Sequence, residues 1–107
     1  MPDLAEFELR VLLGVLRRAD AAYAVAVRDE IEARTGRSVS IGSLYITLQR
    51  LERKGLLRSR LGEPTSERGG RAKRFYAVTR TGVALLRAEC RMTQAMWAGL
   101  GLVAEER

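Results

Sequence analysis

The sequence contains no histidine and a single cysteine among its 107 residues. A lone cysteine, Cys90, excludes a disulfide within the chain, and without histidine it excludes a Cys/His zinc site. The absence of histidine also removes the most frequent general base, which argues against triad hydrolysis and Cys–His nucleophilic catalysis. We therefore expect no cofactor, no metal and no enzymatic activity.

Long hydrophobic runs are also missing. The longest stretch without a charged residue, 92–104, has 13 residues, whereas a membrane-spanning helix needs about 20. The first residues, Met-Pro-Asp-Leu-Ala-Glu, lack the basic and apolar segments of a signal peptide. We expect a cytoplasmic protein of one domain that has no membrane partner.

Positive charge is concentrated in the middle of the chain. The whole sequence has 19 Lys and Arg against 13 Asp and Glu, a net charge of +6. Residues 37–80 hold eleven of the basic and only three of the acidic residues, a net +8, whereas 1–36 carry −2 and 81–107 are neutral. This segregation favours a polyanion-binding face, although an ordinary solvated surface would also explain it.

The first two helices are predicted from their ends and their apolar patterns. Asp3 and Glu6 indicate a capping-box start, and the helix that follows reaches about residue 18 with apolar residues on more than one side. Such a helix is either wrapped by its own domain or shared with a second chain. A second helix is expected at 23–35, where Gly36 ends it.

A third helix is expected at 41–54, with Ser40 as its N-cap. Leu44, Leu48 and Leu51 follow one another at i, i+4 and i+7, so they define its core face. The other positions are left for the surface.

Two strands and a last helix follow. The first strand is expected at 56–61 and the second at 71–79, and the segment between them is rich in turn residues. Thr79 or Thr81 is expected to cap a final helix that extends to about residue 98.

This order of elements predicts a winged helix-turn-helix, an α+β fold that is mainly α with a two-stranded β wing. We assign residues 1–79 to the winged helix-turn-helix DNA-binding domain and 80–107 to a C-terminal dimerisation helix packed on the same domain. In this architecture the third helix enters the major groove, and the tip of the wing contacts the DNA backbone or the minor groove. The basic segment 37–80 covers both elements.

Two blocks of sequence resemble PadR-type transcriptional regulators. GSLYITLQRLERKGLL (42–57) is similar to the recognition-helix signature of that family, and GGRAKRFYAVTRTG (69–82) is similar to its wing and return strand. The blocks stand in the family's order and at its typical separation, and a looser likeness covers 4–97. The resemblance implies a dimeric winged-helix DNA-binding regulator, usually a repressor, whose first and last helices build the dimer interface.

The sequence departs from that family pattern at two positions. Ile46 stands where many members have proline, and Ala22 stands where a glycine often precedes the tyrosine of the second helix. Both changes affect local backbone or groove contacts without threatening the fold. The single C-terminal helix resembles the short branch of the family, which implies no separate C-terminal ligand-binding domain.

The predicted DNA contacts lie on the third helix and the wing. Small polar residues at the start of that helix suit phosphate or base edges, Ile46 and the Thr47 methyl suit thymine methyls, and Gln49 or Arg50 suits a purine edge. The family resemblance implies a backbone contact for Tyr45. The wing cations are expected on phosphates or in the minor groove. The full set is Ser40, Gly42, Ser43, Tyr45, Ile46, Thr47, Gln49, Arg50, Arg68, Arg71, Lys73 and Arg74.

Several of these residues have a plainer interpretation. Ser40 is explained equally well as a cap alone, Ile46 as a protein contact, and Arg74 as the partner of a carboxylate. Arg58 and Arg60 are interpreted as solvated strand residues.

The first and last helices carry more apolar surface than one small domain can cover, which favours a homodimer on a palindromic site. Trp97 is expected either to pack in the dimer core or to form one wall of a pocket for a small hydrophobic or aromatic effector. Cys90 is interpreted as a small buried hydrophobe, with a redox sensor as the alternative. The expected interface or effector pocket comprises Phe7, Val11, Leu86, Cys90, Thr93, Met96 and Trp97.

Together these patterns predict a sequence-specific regulator that binds double-stranded DNA. We expect a homodimeric repressor on a palindromic operator, released by a small effector. Two alternatives remain at this point, a winged-helix module that binds protein and a non-specific nucleic-acid binder. The +8 central segment argues against the protein-binding module. The ratio of specific to non-specific DNA affinity distinguishes a sequence-specific regulator from a non-specific binder.

Overall fold

The computed structural model describes residues 4–63 and 72–102. Within them lie four α-helices and one antiparallel pair of strands, together with a short 3₁₀ turn between the first two helices. The mainly α, α+β winged-helix fold predicted from the sequence is confirmed. The elements are α1 (Glu6–Arg18), α2 (Ala24–Thr35), α3 (Ile41–Arg53), β1 (Leu57–Leu61), β2 (Arg74–Val78) and α4 (Arg80–Trp97).

The start of α1 differs from the prediction. Ala5 is the N-cap, and its backbone N–H donates to Oε1 of Glu8 at 3.0 Å. Glu6, which was expected to close a capping box, instead pairs with Arg10 one turn later at 3.2 Å. Asp3 lies outside the described residues. The carboxylate that satisfies the helix start is therefore Glu8, two positions further along the chain than expected.

The next two helices begin and end close to the expected positions. Gly36 has φ 71°, and this left-handed conformation ends α2. The Oγ of Ser40 accepts a hydrogen bond from the backbone N–H of Ser43 at 3.2 Å, which begins α3. The three leucines of α3 are fully buried, so the core face read from their spacing is confirmed.

The wing is a short antiparallel ribbon, in which Leu57 lies opposite Val78 and Leu61 opposite Arg74. It is joined to the helical part by main-chain contacts, since the N–H of Tyr76 donates to the carbonyl of Ala22 at 2.9 Å. The connection between α1 and α2 thus extends the ribbon on its β2 side and fixes its direction.

The root of the wing is also where α4 begins. Thr79 caps α4, because its Oγ1 accepts from the N–H of Gly82 at 3.1 Å. The N–H of Thr79 donates to the carbonyl of Leu56 at 3.0 Å. A Cβ on Gly82 would lie 2.5 Å from that same carbonyl oxygen, so only glycine allows this close approach.

The core is formed by α1, α2, α3, the wing and the first half of α4. Val11 and Leu86 belong to it, so their assignment to a dimer interface is wrong. Val11 lies one helical turn before the buried Val15 and shares its inward face, and Leu86 lies in the half of α4 that packs on the domain. Both side chains are buried in the core of a single copy of the chain, so they offer no surface to a second copy.

The second half of α4 projects away from that core. Every residue in 90–102 is exposed, and the Cα radius of gyration is 15.7 Å, against about 13 Å for a compact domain of this length. Cys90 is exposed in the single chain, and its interpretation as a buried hydrophobe is wrong because α4 has left the core at that point.

Glu8 is the one buried carboxylate of the described residues, with 3% of its surface exposed. Lys54 Nζ donates to its Oε2 at 2.8 Å, and Arg50 Nη1 lies 3.8 Å from the same oxygen. Burial raises the pKa of Glu8, but the hydrogen bonds from Lys54 and Ala5 and the two positive charges outweigh it, so the pKa falls below 4.5. The start of α1 is thereby joined to the end of α3.

We expect Glu8→Gln to lower the free energy of unfolding by about 1–2 kcal/mol at pH 7, because the ionised partner of Lys54 is lost. A carboxyl whose pKa is lower in the folded state stabilises above its unfolded pKa, and this contribution disappears as the pH falls through the folded pKa. Urea unfolding at pH 7, 5, 4 and 3 measures the free energy of unfolding of the parent protein and of Glu8→Gln. The difference between the two should therefore be constant down to about pH 5 and shrink below about pH 4.5.

Glu6→Gln is the matched control, since Glu6 lies on the same first turn of α1 but is exposed, and among the described residues it pairs with Arg10 alone. It should change stability little. If the effect of Glu8→Gln were the same at pH 3 as at pH 7, the ionised carboxylate would not be the stabilising form.

Candidate nucleic-acid interface

One side of α3 points to solvent and carries the side chains expected to read bases. Ile46 is 58% exposed, and Tyr45, Gln49 and Arg50 are exposed beside it. Gly42 and Ser43 are exposed at the start of the helix. The structure therefore brings most of the predicted recognition-helix residues onto one accessible surface.

Thr47 is the exception. Only 4% of its surface is exposed, so the prediction that its methyl group contacts a thymine is wrong. The physical reason is the helical period, since Thr47 follows Leu44 by three residues and precedes Leu51 by four. That spacing places it on the buried stripe between the two leucines.

Ser40 performs the capping role that was one of its two interpretations. Its Oγ accepts from the N–H of Ser43, and the residue stays exposed at the start of α3. A hydroxyl oxygen has a second lone pair and a proton, so capping does not use all of its hydrogen-bonding capacity.

The described part of the wing presents two of its predicted cations. Lys73 and Arg74 are exposed, whereas Arg68 and Arg71 lie outside the described residues. Arg74 Nη1 donates to the Oγ of Ser59 at 3.0 Å, and that hydroxyl donates to Oε2 of Glu52 at 2.8 Å. Arg74 thus reaches a carboxylate of α3 through Ser59 rather than directly. These two hydrogen bonds join the wing to the recognition helix.

An aromatic pair, which sequence reasoning did not assign to the site, supports the other side of the wing. The rings of Tyr23 and Phe75 meet edge to face with centroids 5.8 Å apart. Lys73 Nζ lies 4.6 Å from the centroid of Tyr23, and the Arg60 guanidinium lies 4.9 Å from that of Phe75. The alternating pattern of β2 could place Phe75 on one face, but its partner in another element gave no local signal.

A groove of about 500 Å³ separates the recognition helix from the wing. The start of α2 forms a third wall. Among the described residues, its lining residues include Lys73 and Arg74 but no carboxylate. They are Tyr23, Ala24, Val25, Tyr45, Leu61, Ala72, Lys73, Arg74 and Tyr76.

Tyr76, which was read from the sequence only as a strand position, is 6% exposed in this groove. Burial raises the pKa of its hydroxyl, the nearby Glu52 and Tyr45 raise it further, and Arg74 opposes them. The hydroxyl therefore stays protonated at neutral pH and can donate a hydrogen bond.

Neither a metal centre nor a membrane-spanning helix is seen in the described ranges. No three His, Cys, Asp or Glu side chains within 4–63 and 72–102 come together as metal ligands. In the same ranges, no helix combines the length and the apolar character needed to cross a bilayer.

Sequence comparison places these features in a family. The pattern of the Transcriptional regulator PadR-like family matches residues 12–88. The chain belongs to this family. That match spans the second half of α1 to the first half of α4, including the exposed side of α3 and the wing, so the resemblance seen in the two sequence blocks is confirmed. Among proteins with curated functional descriptions, none matches this PadR-like chain in sequence.

Solved structures of similar proteins agree with this assignment. A PadR family transcriptional regulator from Eggerthella lenta is 29% identical, with a TM-score of 0.65 over 89% of this chain and 84% of that one. RosR from H. salinarum is 27% identical, with a TM-score of 0.71 over 91% and 80%. The PadR-like regulator BC4206 from Bacillus cereus, at 22% identity and a TM-score of 0.65 over 84% and 82%, has the same fold.

The PadR-like family is one of transcriptional regulators and not of enzymes. This PadR-like chain is accordingly a DNA-binding regulator. The exposed side of α3 and the wing form its candidate nucleic-acid interface, because a winged helix presents these two elements to DNA.

We expect Ile46→Ala to change base preference at one operator position by about 1–3 kcal/mol, because an exposed apolar contact to a base is lost. Thr47→Ser should leave base preference unchanged and lower the free energy of unfolding by about 1 kcal/mol, because it removes a buried methyl group. Competition binding with single-base operator variants, together with urea unfolding, measures both effects. A larger change in base preference for Thr47→Ser than for Ile46→Ala would contradict this orientation of α3.

Proposed function

We propose that the chain is a homodimeric repressor that binds a palindromic operator and is released by a small hydrophobic or aromatic effector. The observation that carries the proposal is the apolar second half of α4, which a single copy leaves uncovered. Met96 is 74% exposed, and Met92 and Trp97 are exposed with it. Apolar surface of this extent is typical of an interface.

Operator recognition is proposed for the two elements that a winged helix presents to DNA. Ile46, Gln49 and Arg50 read base edges in the major groove. The other exposed residues of the interface fix the position of the protein on the backbone. This second set comprises Ser40, Gly42, Ser43, Tyr45, Lys73 and Arg74, and Arg68 and Arg71, outside the described residues, stay predicted wing contacts.

The proposed dimer surface consists of exposed apolar residues on α1 and α4. On α1 these are Leu13 and Leu16, which replace the buried Val11 of the sequence prediction. A two-fold dimer through α4 would cover them and hold two copies of α3 on one side of the duplex, as a palindromic operator requires. The surface is Leu13, Leu16, Met92, Met96 and Trp97, with Phe7, Cys90 and Thr93 beside it.

Effector release is proposed at the same surface. Trp97 offers a flat ring for stacking, and Met92 and Met96 have flexible side chains that adapt to ligands of different shapes. Since Trp97 is the only tryptophan, quenching of its fluorescence would follow the binding of an aromatic ligand. An effector bound between the two copies would act on their spacing rather than on α3 itself.

Fluorescence anisotropy with DNA from upstream of the chain's own gene tests the function as a whole. We expect that fragment to bind at least about 10³-fold more tightly than a shuffled fragment of the same composition. Titrations at several salt concentrations separate the electrostatic part of the affinity, because each phosphate contact contributes about one unit to the salt slope. Equal, steeply salt-dependent binding to both fragments would indicate a non-specific binder, and no binding to either would favour a protein-interaction module.

Dimerisation through α4 is tested by Met96→Glu. We expect this substitution to weaken self-association at least about tenfold, because a carboxylate would have to be buried without a partner. Sedimentation velocity over a range of protein concentrations measures the effect. Leu61→Glu is the control, since it adds the same charge at another well-exposed apolar residue, on the wing. Equal weakening by both variants, or by neither, would contradict the proposed surface.

A further inference from the structure

The apolar side of α4 carries one acidic residue. Glu89 follows the buried Leu85 by four residues and precedes Met92 and Met96 by three and seven, so all four lie along one face of the helix. Within 80–102 Glu89 is the only acid, and it has no ion-pair partner among the described residues. A helix face that is otherwise apolar thus holds one charge that its own domain does not neutralise.

The side of α1 that carries Leu13 has a matching pattern of the opposite charge. A groove of about 150 Å³ opens there between α1 and α2, with the exposed Leu13 and the buried Ile31 in its lining. Arg17 stands one helical turn after Leu13, lines the same groove and is exposed. An apolar surface is therefore followed by a positive charge.

The other groove cations that extend from α1 and α2 are already paired. Arg10 lies 3.2 Å from a carboxylate oxygen of Glu6, and Arg34 lies 2.8 Å from one of Glu30. Arg17 has no carboxylate within 4.0 Å in the described part of the chain. Among these cations it is Arg17 that can meet a carboxylate from another molecule.

We propose that α4 of a second copy lies antiparallel to α1 across this groove, with the partner's Glu89 on Arg17 and the partner's Met92 against Leu13. This pairing rests on the proposed homodimer and specifies which helices meet in it and in which direction. The second half of α4 projects away from its own core, so Glu89 meets an arginine of the other copy rather than of its own.

The order of charged and apolar residues sets the direction of the helices. On α1 the apolar Leu13 comes before the charged Arg17, whereas on α4 the charged Glu89 comes before the apolar Met92. Antiparallel helices therefore bring both pairs together, and parallel helices would set the arginine against the methionine. The separations also agree, since four residues of helix span about 6 Å and three residues about 4.5 Å.

A two-fold dimer forms this contact twice, because each copy supplies α1 to one contact and α4 to the other. Covering the apolar face of α4 without a partner for Glu89 would bury a lone carboxylate, which is costly. An arginine from the second copy removes that penalty and fixes the register of the two helices.

Charge reversal tests the pair. We expect Arg17→Glu and Glu89→Arg, each alone, to weaken self-association at least about tenfold in sedimentation velocity, because like charges then face each other at both contacts. Arg91→Glu is the matched control. It makes the same change of charge as Arg17→Glu, but Arg91 lies on the side of α4 opposite Glu89, so its self-association should stay within about threefold of the parent.

Mixing the two variants distinguishes a contact between copies from a contact within one copy. In a heterodimer of Arg17→Glu with Glu89→Arg, one contact keeps the original pair and the other has the same pair with its charges exchanged. We expect the equimolar mixture to associate within about threefold of the parent, although neither variant does so alone. A variant that had failed to fold could not be rescued in this way.

The outcomes separate this pair from the dimer on which it rests. If the parent dimerises but both single variants associate as tightly as the parent does, the pair is wrong and the homodimer stands. The same holds if the mixture associates no more tightly than its components. A parent protein that stays monomeric at every concentration would overturn both, and would leave the apolar face of α4 to a different protein.

Discussion

The close approach of Gly82 to the carbonyl of Leu56 fixes the position of α4 relative to the wing and the end of α3. The turn between α3 and β1, the end of β2 and the start of α4 all meet there. Thr79 binds them together through its N–H to Leu56, its hydroxyl to the carbonyl of Gly55 at 2.7 Å, and its cap on Gly82. A Cβ at Gly82 would lie 2.5 Å from the carbonyl oxygen of Leu56 and 2.6 Å from Cγ1 of Val78. Since both neighbours belong to the root of the wing, the direction of α4 cannot vary independently of the wing.

Two polar links hold the recognition helix on either side of that junction. Glu8 joins the end of α3 to the start of α1 through Lys54, and Ser59 joins Glu52 of α3 to Arg74 of the wing. Ordered side chains lose less entropy on binding than free ones, so these links prepare the DNA-facing surface before DNA arrives. Arg50 lies within reach of Glu8 as well, which ties a residue proposed to read bases to the helix that starts the domain.

Local chemistry explains what could be predicted from the sequence. Gly36, Ser40 and Thr79 end or begin helices through their own backbone freedom or hydroxyl groups, and the leucine spacing of α3 gives its inner face. The same spacing contained the information that Thr47 is buried. The partner of Glu8 is 46 residues away, and no local pattern indicates it. In α1 the apolar band is too wide to show whether Val11 or Leu13 faces inward, so packing against α2 and α3 decides.

The same junction links the proposed effector surface to the DNA-facing side. α4 is one unbroken helix of 18 residues, about 27 Å long, whose first turn is fixed to the wing root and whose last turns carry Met96 and Trp97. A ligand that changes how two such helices cross would move each wing and each α3 as a rigid unit. Half-sites of a palindrome are separated by about 34–36 Å, and a dimer must match that spacing to contact both. In the proposed dimer, release of DNA would then require only a change in the crossing of the two α4 helices, with no change in the fold of either DNA-binding domain.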